Sequence, residues 1–142
     1  MKILLSILFV AFIFKASGQQ ATVTLDNYFN REWKKDSAGK KVLFHYTWDD
    51  KGNSGFSRLG DIFSSHGLRQ DVLAAAPRDE NLRNSKIYII VDPDTDKETP
   101  NPNYIQARDI KAIKSWVARG GVLVLMGNDS GNAEFHHFNQ LA

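Results

Sequence analysis

Two kinds of apolar pattern alternate along this chain. Ile87-Tyr88-Ile89-Ile90-Val91 and Val122-Leu123-Val124-Leu125-Met126 are unbroken runs. Such runs predict strands covered on both faces, as in a parallel sheet. Elsewhere apolar positions recur at helical spacing. Phe56, Leu59, Ile62 and Phe63 predict a helix with one apolar stripe, with Ser54 placed to cap it and Gly67 where a left-handed C-cap is wanted. Ile110, Ile113 and Trp116-Val117 predict a helix over 105–117, stopped by Gly120-Gly121. Phe135, Phe138 and Leu141 predict a last helix after the turn Gly127–Gly131. Weaker signals add strands at Val23–Leu25, at Val42–Tyr46 and ending at Val72-Leu73, and a short helix around Glu80–Leu82. Polar stretches join these elements. One runs from Asn30 to Lys41, with Lys34–Gly39 as a turn; another runs from Asp92 to Asn103 and holds three of the 4 prolines.

Strand and helix in alternation predict an α/β layer fold built on a parallel sheet. The last amphipathic segment reaches Ala142 with no C-cap and no polar tail. So few parallel strands bury a limited core. The chain therefore reads as the N-terminal part of a larger α/β domain, truncated at its C-terminus.

The N-terminus has a separate pattern. Met1-Lys2 is a short positive start, Ile3–Phe14 is apolar except for Ser6, and small residues Ala16 and Gly18 follow Lys15. This is the tripartite layout of an export signal cleaved after Gly18. The apolar run is shorter than the ~20 residues that span a membrane. The expectation is a signal peptide over 1–18 and a periplasmic or extracellular domain over 19–142, with no membrane segment once the signal is cut.

Composition narrows the chemistry. Lys+Arg number 18 and Asp+Glu 16, but Lys2 and Lys15 fall within the signal, so the remainder is balanced. No basic stripe remains, and nucleic acid is not an expected partner. Cysteine is absent, which excludes disulfides, a thiol nucleophile, cysteine-ligated metal and a lipid-modified N-terminal Cys.

Ligands of open α/β sheets bind at the carboxyl ends of the strands. That edge is predicted to collect Asp26, Tyr28 and Asn30; His45, Trp48, Asp49 and Asp50; Asp92, Asp94 and Asp96; and Asn128 with Asp129. Amides and carboxylates bind sugar hydroxyls, and aromatic faces pack on sugar rings. Equally, strand-end loops are polar in any such fold, with Tyr28 and Trp48 covering the core. The acidic edge is expected to repel a uronate unless a cation bridges it, which favours a neutral, rhamnose-like sugar or a uronate with a divalent ion. Asp92-Pro93-Asp94-Thr95-Asp96 opens like a calcium loop, making calcium a candidate cofactor held by Asp92, Asp94 and Asp96. The match then fails, because Lys97 stands where glycine is needed and Asn103 where the closing Glu belongs. Glu134 and His137 have metal-ligand spacing but read better as an exposed helical pair. Gly127-x-x-x-Gly131 could cradle an anion, yet it lacks the Gly-Lys-Ser/Thr of a P-loop.

Several of these segments together resemble one family. They are Phe44–Asp50, Ser54-Gly55-Phe56, Ile89–Thr95 with Thr99–Tyr104, and Gly120–Asp129. The chain from Thr22 to Ala142 is similar to the glutamine amidotransferase-like domain that occurs fused to unsaturated rhamnogalacturonyl hydrolases of glycoside hydrolase families 88 and 105 in Bacteroidetes. The resemblance implies a flavodoxin-like sheet with flanking helices, export, and a role in pectin breakdown beside a glycoside hydrolase module in cis or in trans. Class I amidotransferases carry a Cys at the strand-to-helix elbow, with His and Glu further on. Here the elbow is Asn128-Asp129, so no catalytic residue is expected and amidotransferase activity is not implied. The ligand-binding candidates are Asp26, Tyr28, His45, Trp48, Asp92, Asp94, Asn128 and Asp129, and the candidate ligand is a pectic oligosaccharide. A second reading makes the chain the N-terminal part of a hydrolase whose catalytic module lies elsewhere.

Overall fold

A computed structural model describes residues 20–128 and 131–142. The predicted export signal, Asp129 and Ser130 lie outside the described residues. Four strands form a parallel sheet: β1 (Thr22–Asp26), β4 (Arg69–Leu73), β5 (Ser85–Val91) and β6 (Val122–Met126), in the order β4-β1-β5-β6. Strands β2 (Trp33–Lys35) and β3 (Lys41–Leu43) pair antiparallel as a separate hairpin. The helices are α1 (Ser57–Ser65), α2 (Asp79–Leu82), α3 (Ala107–Ala118) and α4 (Phe135–Phe138). This α/β arrangement matches a flavodoxin-like topology in general. Among the described residues no helix is long and apolar enough to cross a membrane.

Alternation along the strands builds two cores. Tyr88 and Ile90 of β5 join Ile113 and Trp116 of α3, Leu82 of α2 and Phe138 of α4 on one face. Val23 and Leu25 of β1 join Ile89 and Val91 on the other, where Leu59 and Phe63 of α1 cover them with Trp48 and Phe56. The unbroken apolar runs thus serve both faces at once. Close approach behind α3 depends on Gly121, where a Cβ would fall 2.3 Å from the Trp116 indole.

Four expectations need correction. The strand foreseen over Val42–Tyr46 stops at Leu43, because His45 (φ 59°) and Tyr46 (φ 45°) are left-handed and cannot continue a strand. It pairs with β2 rather than with the parallel sheet, and the stretch around Lys34-Lys35 is half of that hairpin. Ser54 does not cap α1: Phe56 holds the cap position without a side-chain bond, while the Ser54 carbonyl accepts the Tyr46 N–H at 2.9 Å. The last helix ends at Phe138 rather than running through Leu141, whose N–H closes the turn on the Phe138 carbonyl at 3.0 Å. Glu134 is not an exposed helical residue. It caps α4, its carboxylate accepting the His137 N–H at 3.0 Å, and its side chain is largely buried.

Candidate functional site

Chain order sends β1 to a neighbour on one side, β4, and β5 to a neighbour on the other, β6, so the topological switch point lies between β1 and β5. In open α/β sheets this is where ligands enter. Here side chains of the protein fill the crevice. Asp26 ends β1 with only 2% of its surface exposed. Its Oδ2 accepts the N–H groups of Tyr28 (3.1 Å), Phe29 (2.7 Å) and Asn30 (3.4 Å), and its Oδ1 accepts the Tyr88 hydroxyl at 2.5 Å. Burial outweighs these bonds and pushes the Asp26 carboxyl up to about 6, while burial and the nearby Asp26 push the Tyr88 phenol well above its ordinary value. Asp26 therefore organises the 27–31 loop, with its oxygens committed to the protein.

Asp92, directly after β5, plays the matching part. Its Oδ2 accepts the Tyr46 hydroxyl at 2.7 Å, its Oδ1 accepts the Asn128 N–H at 3.1 Å, and its carbonyl accepts Asn30 Nδ2 at 2.7 Å. Burial first, then Asp92, raises the Tyr46 phenol, which keeps its proton and donates it. His45, Tyr46 and Asp92 (φ 38°) are all left-handed without being glycine. Each such residue costs roughly 1–3 kcal/mol and persists only where its surroundings over-determine it. The Tyr46–Asp92 bond and the His45 Nδ1 to Glu32 Oε1 contact of 2.9 Å are those surroundings.

The open space lies beside this plugged crevice, over the ends of β1 and β4 and under the hairpin. It is a cavity of about 670 Å³, lined by the aromatic side chains of Trp33, Phe44, Tyr46 and Trp48 and by Lys34, Lys40, Lys41, Asp49 and Asp50. The 47–56 loop forming one wall is wound tightly. Phe56 N–H donates to the Thr47 carbonyl at 3.0 Å, and Asp50 Oδ1 accepts the Gly52 N–H at 2.7 Å. Gly55 is required there, because a Cβ would sit 2.0 Å from the Asp50 carbonyl oxygen.

The candidates foreseen from sequence divide accordingly. Asp26, Trp48, Asp49 and Asp50 border the cavity. Trp48 is largely spoken for: its Nε1 donates to the Asp71 carbonyl at 2.8 Å and its ring packs edge-on against Phe63. Tyr28 packs on the core beside Phe29, and its carbonyl accepts Asn103 Nδ2. His45 turns to Glu32, and Asp92 and Asn128 bond to each other. Asp94 is 1% exposed and faces the 28–31 loop, accepting the Arg31 N–H at 2.9 Å. Asp92 and Asp94 thus point to different partners, and among the described residues no group of three or more His, Asp or Glu side chains gathers to hold a metal ion. The calcium set Asp92, Asp94, Asp96 does not assemble.

The residues missed by sequence are those of the hairpin. Trp33 is 42% exposed, and Lys41 Nζ lies 4.9 Å from its ring centroid. Lys34 Nζ lies 4.2 Å from the Phe44 centroid. The expected acidic, uronate-repelling edge is corrected at this cavity, whose lining balances Lys34, Lys40 and Lys41 against Asp49, Asp50 and an Asp26 carboxylate bonded to the 28–30 backbone. The only advance signal was Trp33 standing in an otherwise polar segment. No protein-family model matches this chain, and neither the curated proteins nor the solved structures offer a match.

Proposed function

We propose that this chain is a secreted, accessory carbohydrate-binding domain of amidotransferase-like type, acting in pectin degradation beside a glycoside hydrolase module. The observation that carries the reading is the 670 Å³ cavity at the sheet's carboxyl edge, with Trp33, Phe44, Tyr46 and Trp48 around it and charged groups at its rim. Aromatic faces with interspersed carboxylates and ammonium groups are recognition chemistry for a polyhydroxylated ring. The described lining holds no serine, cysteine or histidine, and Thr47 is its one aliphatic hydroxyl. The resemblance of Thr22–Ala142 to the amidotransferase-like pattern, with Asn128-Asp129 at the elbow where that family carries its Cys, supports an accessory role over a catalytic one.

The test is calorimetric titration of rhamnogalacturonan oligosaccharides into wild type and Trp33→Ala. Trp33 is exposed enough for truncation to spare the fold, so melting should be unchanged while affinity falls by about tenfold or more. Equal binding by both proteins would move the ligand away from this cavity, and no binding by wild type would end the proposal.

A further inference from the structure

A second cavity, of about 440 Å³, opens on the other side of the hairpin. Arg31, Trp33, Lys41, Asp94, Glu98 and Asn101 are among its lining residues. Trp33 and Lys41 border both cavities, so the hairpin is the wall between two adjoining spaces. Strand pairing explains how. Trp33 and Lys41 lie on opposite strands, two register positions apart and so on the same face, with Trp33 opposite Leu43 and Lys35 opposite Lys41. Their stacked side chains form a ridge that a short chain molecule can cross.

Charge decides what the second space takes. Among the described residues neither Arg31 nor Lys41 has a carboxylate within ion-pair distance. The two acids beside them are occupied or enclosed. Glu98 Oε2 accepts the Thr95 N–H and hydroxyl, each at 3.1 Å. Asp94 gives Oδ2 to the Arg31 N–H, and its Oδ1 is buried. Arg31 and Lys41 thus bring two cations without a carboxylate partner to this space, beside the hydrogen-bonded carboxyls of Glu98 and Asp94, and Asn101 and Asn103 add amide groups for hydroxyls. An arginine and a lysine converging on one space suit a carboxylate.

We propose that the ligand is an acidic oligosaccharide straddling the β2–β3 hairpin, with one sugar in the strand-end cavity and the carboxylate of the next held by Arg31 and Lys41 in the second. This rests on the carbohydrate-binding reading and adds ligand length and charge to it.

The experiment titrates galacturonate monomer, trigalacturonate and fully methyl-esterified trigalacturonate into wild type, Arg31→Gln and Trp33→Ala. The Arg31 side chain is exposed, so its replacement leaves the backbone bond to Asp94 in place. The expected result is trimer binding at least tenfold tighter than monomer, and about tenfold loss on esterification. Arg31→Gln should lose about tenfold for the trimer and little for the monomer. Trimer binding that is sensitive to Trp33→Ala but indifferent to esterification and to Arg31→Gln would overturn the second subsite and leave the first standing. Failure of every saccharide to bind wild type would overturn both together.

Discussion

Replacing Asp26 with Asn should make the protein more stable at neutral pH, though the carboxylate it removes accepts four hydrogen bonds. Burial raises this carboxyl from the ordinary 3.8 to about 6, so the folded protein binds the Asp26 proton more tightly than the unfolded chain does. Folding stability from this group is then fully present below pH ~4 and is lost as pH rises through ~6. A shift of about two units corresponds to ~3 kcal/mol across that window. Asn resembles the protonated acid: its oxygen can take the three backbone N–H groups, and its amide can donate to the Tyr88 oxygen. Below pH 4 the two proteins should be nearly equal in stability. By pH 7 the variant should lead by up to ~3 kcal/mol. Asp94 is raised to about 6 in the same direction, so the wild-type curve carries both groups and only the mutant-minus-wild-type difference isolates Asp26. Urea unfolding at half-unit steps from pH 4 to 7.5 gives that difference. A difference that stays flat, or an Asp26→Asn protein weaker than wild type at pH 7, would mean that the backbone N–H groups outweigh burial and hold the carboxyl low.

Gly55→Ala should destabilise by ~3 kcal/mol or more, since its Cβ would overlap the Asp50 carbonyl and the 47–56 loop cannot relax without losing the Phe56–Thr47 bond; an ordinary melting temperature would disprove the close approach. Tyr46→Phe removes the hydroxyl from Asp92 Oδ2 and should cost ~1 kcal/mol in chemical denaturation, with increased hydrogen exchange at Asn128, whose N–H shares that carboxylate. Export should cut the chain after Gly18, so that N-terminal sequencing of secreted material begins at Gln19; a secreted product that retains Met1 would refute this.

What the sequence made legible follows from where the pattern is redundant. Unbroken apolar runs identified β5 and β6, and helical spacing identified α1 and α3, because each is enforced by several residues at once. The strand-end loops were legible as a place but not as an arrangement. Asp26, Asp92 and Asp94 look alike in sequence as acids following strands. Yet Asp26 gathers a loop, Asp92 joins Tyr46 to Asn128, and Asp94 anchors Arg31. Which donor each carboxylate meets depends on backbone turns, including left-handed Tyr46 and Asp92, that no local propensity announces.

The hairpin was illegible for a different reason. Strands of three residues, Trp-Lys-Lys and Lys-Val-Leu, are too short to show alternation, and lysines dominate them. Their pairing is fixed from outside. Phe44 N–H donates to the Glu32 carbonyl at 3.1 Å, His45 meets the Glu32 carboxylate, and the Asp36 carboxylate accepts the N–H groups of Ala38 and Lys40 at 2.9 Å to shape the turn. The same contacts link the hairpin to the strained His45-Tyr46 pair, and through Tyr46 to Asp92 at the switch point. The sheet's natural binding crevice is thus closed by the residues that hold the hairpin up. The open spaces lie instead on the hairpin's two sides, where Trp33 and the lysines are exposed, while the carboxylates of the crevice are already bonded.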